Sequence, residues 1–184
     1  MQTFSHMLRN ESVVPVVAVH DEKQALGLAQ ALIEGGINVI EVTLRNSFAP
    51  QALSLIKKTF PEMTLLAGTV TTAEQFRQVA ELGIDGVISP GLTPKLAMTA
   101  NELQMPYLPG VGSASDIVMG IEHGLSELKL FPASVVGGIG ALKAFAGPFP
   151  DIKFCPTGGI GANDYRDYLA LPNVMCVGGS WVAS

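Results

Sequence analysis

Charge is scarce in this chain. Asp, Glu, Lys and Arg make up 15% of its 184 residues, against roughly 25% in an average soluble domain. The charge present leans negative, with 11 Lys and Arg against 16 Asp and Glu and a net −5. That balance argues against nucleic acid as the main partner, because phosphate backbones select basic surfaces. Long apolar runs are missing as well. No stretch approaches the roughly 18 residues needed to span a bilayer. The opening MQTFSHMLRNES has no apolar signal-peptide core, so no membrane partner is expected and the expected compartment is the cytoplasm. Cysteine is rare: Cys155 and Cys176 sit in the apolar segments KFCPTGG and VMCVGGS. Both are expected to be buried, reduced thiols, since cysteine packs as a small hydrophobe and the cytosol disfavours disulfides. His6, His20 and His123 are far apart and show no metal-ligand spacing, so nothing in the pattern asks for a metal.

What the chain has instead is apolar residues, 48% of the total. That is enough for one sizeable core, and residues 1–184 are expected to form a single domain. After a short N-terminal segment, 1–12, strand-like runs alternate with helical stretches. The runs are VVPVVAV (13–19), NVIEVTL (38–44), TLLAGTV (64–70), GVISP (86–90), PYLPGV (106–111), ELKLFP (127–132), KFCPTGG (153–159) and VMCVGGSW (174–181). Each of the first seven precedes a plausible helix; Asp21 is suited to cap one, and Thr71 or Thr72 another. Strict β–α alternation implies a parallel sheet with helical crossovers. Eight strands starting every 20 to 26 residues point to a closed (β/α)8 barrel, a TIM barrel. The chain ends just past the eighth strand, so the eighth outer helix is not in this sequence and the helix layer there is expected to be open.

Barrel geometry turns strand parity into an inside and an outside. In ELKLFP, Leu128 and Leu130 suit the helix layer, which leaves Glu127, Lys129 and Phe131 facing the interior. In the second strand Ile40, Val42 and Leu44 suit the helices, leaving Glu41, Thr43 and Arg45 facing in. A buried charge costs several kcal/mol unless it is paired or surrendered. Lysine can surrender it when buried beside another cation, and Arg45 is expected to be that cation. A neutral amine condenses with a ketone to a Schiff base, and an inward carboxylate such as Glu41 can move the protons. Arg45 is suited to hold a substrate carboxylate, with Thr69 of AGTV as a further donor. The glycine pairs in PTGGIGAND (156–164) and VGGS (177–180) lie where barrel loops often offer backbone N–H groups to phosphate. Blander readings stand beside these: a structural Glu41–Arg45 ion pair, a strand-end hydrogen bond at Thr69, tight turns at the glycines.

Eight segments, in order, resemble the bacterial 2-keto-3-deoxy-6-phosphogluconate aldolases, also described as 4-hydroxy-2-oxoglutarate aldolases. They are EVTLR (41–45), AGTV (67–70), ISPGLT (88–93), PGV (109–111), LKLFPA (128–133), AGPFP (146–150), PTGGI (156–160) and GGSW (178–181). The resemblance implies a class I aldolase on a (β/α)8 barrel, a homotrimer, with a covalent lysine Schiff base and no metal or other cofactor. Carried over by position, Lys129 is the Schiff-base lysine and Glu41 the general acid/base. Arg45 and Thr69 bind the substrate carboxylate, Pro90, Phe131 and Thr157 line the pocket, and Gly158, Gly159, Gly179 and Ser180 bind phosphate. The implied reactions cleave 2-dehydro-3-deoxy-6-phosphogluconate to pyruvate and glyceraldehyde 3-phosphate, the last step of the Entner–Doudoroff route, and 4-hydroxy-2-oxoglutarate to pyruvate and glyoxylate. Ser134 stands where members commonly carry glutamate, and members usually continue into a final helix beyond residue 184. The alternatives are cleavage of the galactonate isomer, a phosphosugar epimerase or isomerase using Glu41 as base, and a non-catalytic sugar-phosphate binder.

Overall fold

The computed structural model describes residues 3–183. All eight expected strands form: β1 (Val13–Val17), β2 (Val39–Thr43), β3 (Thr64–Gly68), β4 (Gly86–Ser89), β5 (Tyr107–Val111), β6 (Glu127–Leu130), β7 (Lys153–Phe154) and β8 (Val177–Gly179). Seven helices lie between them: α2 (Glu22–Glu34), α3 (Ala49–Thr59), α4 (Ala73–Ala80), α5 (Pro94–Leu103), α6 (Ala114–Glu122), α7 (Gly138–Ala146) and α8 (Tyr165–Leu169). Ahead of the first strand stands a short α1 (Phe4–Met7) that the sequence pattern does not announce. After β8 the described residues hold only a 3-10 turn, Trp181–Ala183.

Local chemistry explains the helix starts. Asp21, Thr72, Thr93 and Ser113 each accept a hydrogen bond from a backbone N–H in the first turn of α2, α4, α5 and α6. Each such cap contributes about 0.5–2 kcal/mol by satisfying a donor that the helix itself cannot. Ser113 and Asp116 form a reciprocal capping box.

Every named strand pair is parallel, in the order β7-β6-β5-β4-β3-β2-β1-β8. Parallel bridges Phe154↔Val174 and Thr157↔Gly178 join the β7 and β8 segments, closing the ring. Outward side chains pack with the helices in two clusters, one holding Ile40, Val42, Leu65 and Val87, the other Leu128, Leu130 and Phe154. A third cluster fills the barrel: Val14, Val39, Leu66, Ile88, Leu108, Cys155 and Cys176, with Phe4 and Leu8 from the N-terminal segment. Both cysteines are buried and free, as expected from their apolar surroundings.

Phe4 acts as a plug for the N-terminal end of the barrel. Its ring tip sits over Gly86, where a β-carbon would collide with it. The inward Glu127 carboxylate holds the plug in place by accepting the Phe4 and Ser5 backbone N–H groups at 2.6 and 3.0 Å. The parity that faces Lys129 inward thus also gives Glu127 a structural task, one turn of the pleat below.

Candidate active site

Lys129 faces the interior, as strand parity requires, and its side chain is only 6% exposed. Its Nζ donates to Glu41 Oε1 at 3.3 Å, and the Glu41 side chain is 3% exposed. The second charged group at the lysine is therefore a carboxylate. The expectation that Arg45 would be buried beside the lysine as a neighbouring cation is corrected by the structure. Arg45 lies past the end of β2 and is exposed, and it makes no ion pair among the described residues. The physical reason is the length of the strand: β2 ends at Thr43, so Arg45 has left the pleat whose parity would have turned it inward.

Glycines make the room for this pair. A β-carbon on Gly68 of β3 would strike the Glu41 carboxylate. One on Gly110 of β5, the register partner of Lys129, would strike the Pro90 carbonyl. One on Gly178 of β8 would strike the Thr157 hydroxyl. Glycine inside a strand marks close approach, and here three strands give up their side chains on the inner face. The space goes to a carboxylate, a carbonyl and a hydroxyl, and the carboxylate is the group that meets the Lys129 amine. Strand parity places Gly68 and Gly110 on the inner face, a signal in the sequence that reading the glycines as turn-formers overlooks.

Above the amine lies a cavity of about 130 Å³ at the C-terminal ends of the strands. Arg45, Phe131, Thr157, Gly158, Gly159, Gly179 and Ser180 line it, together with Val16 and Ile160. The Phe131 ring links the two levels, with Lys129 Nζ 5.3 Å from its centroid. Gly158 and Gly159 adopt φ of 100° and 73°, left-handed conformations that suit glycine and let the backbone turn sharply over the cavity. Lys129 and Glu41 are not among its lining residues, and larger clefts of about 330 Å³ and about 500 Å³ lie beside α1 and α2.

Thr69 and Pro90 stand apart from that cavity wall. Thr69, half-buried just after β3, has φ 58°, an unusual conformation for a β-branched residue. Its hydroxyl makes no hydrogen bond to another described residue. Pro90 follows β4 and reaches the site through its carbonyl against Gly110. Thr43, buried next to Glu41 on β2, is already committed: its hydroxyl donates to the Val17 carbonyl at 2.9 Å.

Beneath Thr157 the two thiols complete the inner wall. Hydrogen bonding with Cys176 lowers the Cys155 thiol from its ordinary value against the opposing effect of burial, and the Lys129 charge adds to that lowering. The same interaction, followed by burial, pushes the Cys176 thiol well up. Among the described residues no group of three or more His, Cys, Asp and Glu is placed to hold a metal ion, and no helix is long and apolar enough to cross a membrane.

An inward amine beside a carboxylate, under a pocket rimmed by one guanidinium and a glycine-rich backbone, can form an imine with a small anionic ketone and move protons next to it. Known proteins with similar sequences bear on that chemistry. The sequence model of a family described as "Aldolase: KDPG and KHG aldolase" matches residues 4–184. The "KHG/KDPG aldolase" of Escherichia coli (strain K12) is 47% identical over 176 residues, 96% of this chain and 83% of that protein. A crystal structure of KDPG aldolase from Legionella pneumophila, with pyruvate captured at low pH as a covalent carbinolamine intermediate, superimposes with a TM-score of 0.95 at 46% identity. The match covers 97% of this chain and 87% of that one. The 2-keto-3-deoxy-6-phospho-gluconate aldolase from Zymomonas mobilis ATCC 29191 superimposes at 0.96 with 40% identity, over 100% and 88% of the two chains.

Proposed function

The chain belongs to the KDPG and KHG aldolase family, and from that premise we propose that Lys129 and Glu41 perform a class I aldol cleavage in this barrel. The substrates are 2-dehydro-3-deoxy-6-phosphogluconate, split to pyruvate and glyceraldehyde 3-phosphate, and 4-hydroxy-2-oxoglutarate, split to pyruvate and glyoxylate. The 3.3 Å contact between the buried amine and the buried carboxylate carries the reading. Glu41 is placed to take the proton the amine must lose before it attacks.

The Lys129 amine adds to the C2 ketone, and the carbinolamine loses water to leave an iminium. Glu41, directly or through one water, then takes the proton of the C4 hydroxyl. The electron pair of the C3–C4 bond flows into the iminium, releasing the aldehyde and leaving an enamine. Proton return from Glu41 to C3 and hydrolysis of the imine release pyruvate and restore the lysine. Each step balances with water and protons alone, so the reading requires no metal or other cofactor.

Arg45 and Thr69 orient the substrate carboxylate, with Pro90, Phe131 and Thr157 as pocket walls. Gly158, Gly159, Gly179 and Ser180 receive the distal anion through backbone N–H groups and the serine hydroxyl. The exposure of Arg45 supports a binding role for it, because a guanidinium with no ion pair among the described residues is available to a ligand. Arg45→Ala is expected to raise KM for the phosphorylated substrate about tenfold or more with a smaller change in kcat, the signature of lost uniform binding. Steady-state pyruvate release measures both. The reading also takes the protein as a cytoplasmic homotrimer. Exposed Met98 on α5 and Val118 and Ile121 on α6 provide an apolar face for another copy.

Trapping tests the central step. With pyruvate and borohydride the protein is expected to gain one reduced pyruvyl mass, located at Lys129 by peptide mass spectrometry. An unmodified Lys129 under these conditions counts against imine chemistry altogether.

A further inference from the structure

On the outer side of β4 a hydrogen-bonded chain has no place in the chemistry described so far. Ser89, fully buried, has its hydroxyl oxygen 2.7 Å from the Gly91 carbonyl oxygen and 2.7 Å from the Tyr107 phenol oxygen. Counting protons fixes the direction. A carbonyl can only accept, so the single Ser89 proton goes to Gly91. The phenol must then donate to Ser89. Burial pushes the Tyr107 hydroxyl up to about 12, the bond to Ser89 opposing, which keeps that donor protonated. The Tyr107 ring is itself held edge-on against Phe76 of α4, with centroids 5.4 Å apart.

The residue between these two tethers is Pro90. Ser89 and Gly91 are tied from outside the sheet, while Pro90 leans inward and packs its carbonyl against Gly110. Gly110 pairs in register with Lys129. Tyr107 and Gly110 also belong to the same strand, so β5 grips the Pro90 turn from both faces. The loop is thus pinned at both neighbours of Pro90, the residue packed against the register partner of Lys129.

We propose that Ser89 and Tyr107 are positioning residues for the aldol reaction: the directed chain Tyr107 to Ser89 to Gly91 holds the Pro90 carbonyl against Gly110 and thereby sets one wall of the Lys129 chamber. The proposal rests on the reading of Lys129 as the imine-forming residue. Substrate anions are met elsewhere, by Arg45 and the glycine-rich ends of the β7 and β8 segments, so loosening this wall disturbs alignment of the reacting carbons and spares affinity.

Ser89→Ala, Tyr107→Phe and the double variant test this, with kcat, KM, the rate of borohydride trapping by pyruvate, and the melting temperature as readouts. Each single change is expected to lower kcat about tenfold with KM within about twofold, a modest share of what an ångström of misalignment can cost. The double variant is expected to be no slower than the slower single, because both changes cut one chain. Gly110→Ala, which forces the Pro90 carbonyl away from within, is expected to give the same kcat-selective loss. Unchanged kcat in both single variants, multiplicative losses in the double, or a loss explained by a smaller folded fraction overturns the proposal. The wild-type protein separates the two levels of inference. Absence of its pyruvate adduct defeats the Lys129 reading, whereas a normal adduct that forms equally fast in Ser89→Ala defeats only the positioning role.

Discussion

Lys129→Met is expected to abolish the pyruvate adduct and to lower kcat for cleavage of 2-dehydro-3-deoxy-6-phosphogluconate by at least about 10⁴-fold, the scale of loss when a covalent nucleophile is removed. Methionine matches the lysine stem in length and flexibility, so the space the stem occupies stays filled. What it removes is the partner of Glu41. Cutting one member of a buried ion pair costs on the order of 3–5 kcal/mol, because the remaining charge is left in the interior. The variant should therefore also melt at lower temperature. Loss of activity at a temperature where circular dichroism shows the folded protein separates the chemical effect from the structural one. Cleavage at near wild-type rate in folded Lys129→Met would remove the lysine from the mechanism.

Glu41→Gln has a different expected signature. The amide keeps the volume and an acceptor oxygen for Lys129 Nζ, and Gly68 still leaves the space that this side chain needs. The amine can still find the ketone, so trapping persists at a reduced rate. The steps that need a proton carrier do not. Cleavage should fall by about 10²–10⁴-fold, the usual worth of a positioned general acid or base. Exchange of the pyruvate methyl protons with deuterated water should fall in parallel, because it requires proton transfer at the same carbon. Exchange at the wild-type rate would assign proton transfer to another group. The two variants together dissect the site: one loses the covalent bond, the other keeps the bond and loses its turnover.

The contrast between Lys129 and Arg45 shows how far strand parity reaches. Both residues fall on inward positions of their runs, LKLFPA and EVTLR. Lys129 lies within β6 and is buried, whereas Arg45 lies two residues past β2 and is exposed. Alternation is a property of the pleat and lapses where the ladder ends. For that reason Arg45 is not the buried neighbour of the lysine that its place in EVTLR suggests. The lysine's compensating charge comes from Glu41, four residues before the arginine and still inside the β2 ladder.

Periodicity alone determined much of this protein. The alternation of strand and helix specified eight parallel strands, and the two-residue period inside each strand specified which side chains face the barrel axis. Asp21 and Thr72 marked helix starts through local hydrogen bonds that need no distant partner. Only the closed barrel decided what those inward residues meet. Glu41 and Lys129 are separated by 88 positions in sequence, and their contact depends on the stagger of the whole sheet. The space around them depends on Gly68, Gly110 and Gly178, each on a different strand. The Ser89–Tyr107 chain and the Phe4 plug are likewise contacts between segments whose local patterns contain no trace of one another. Short-range chemistry writes itself into adjacent letters, whereas the polar chamber at the barrel centre arises only when eight strands converge on one axis.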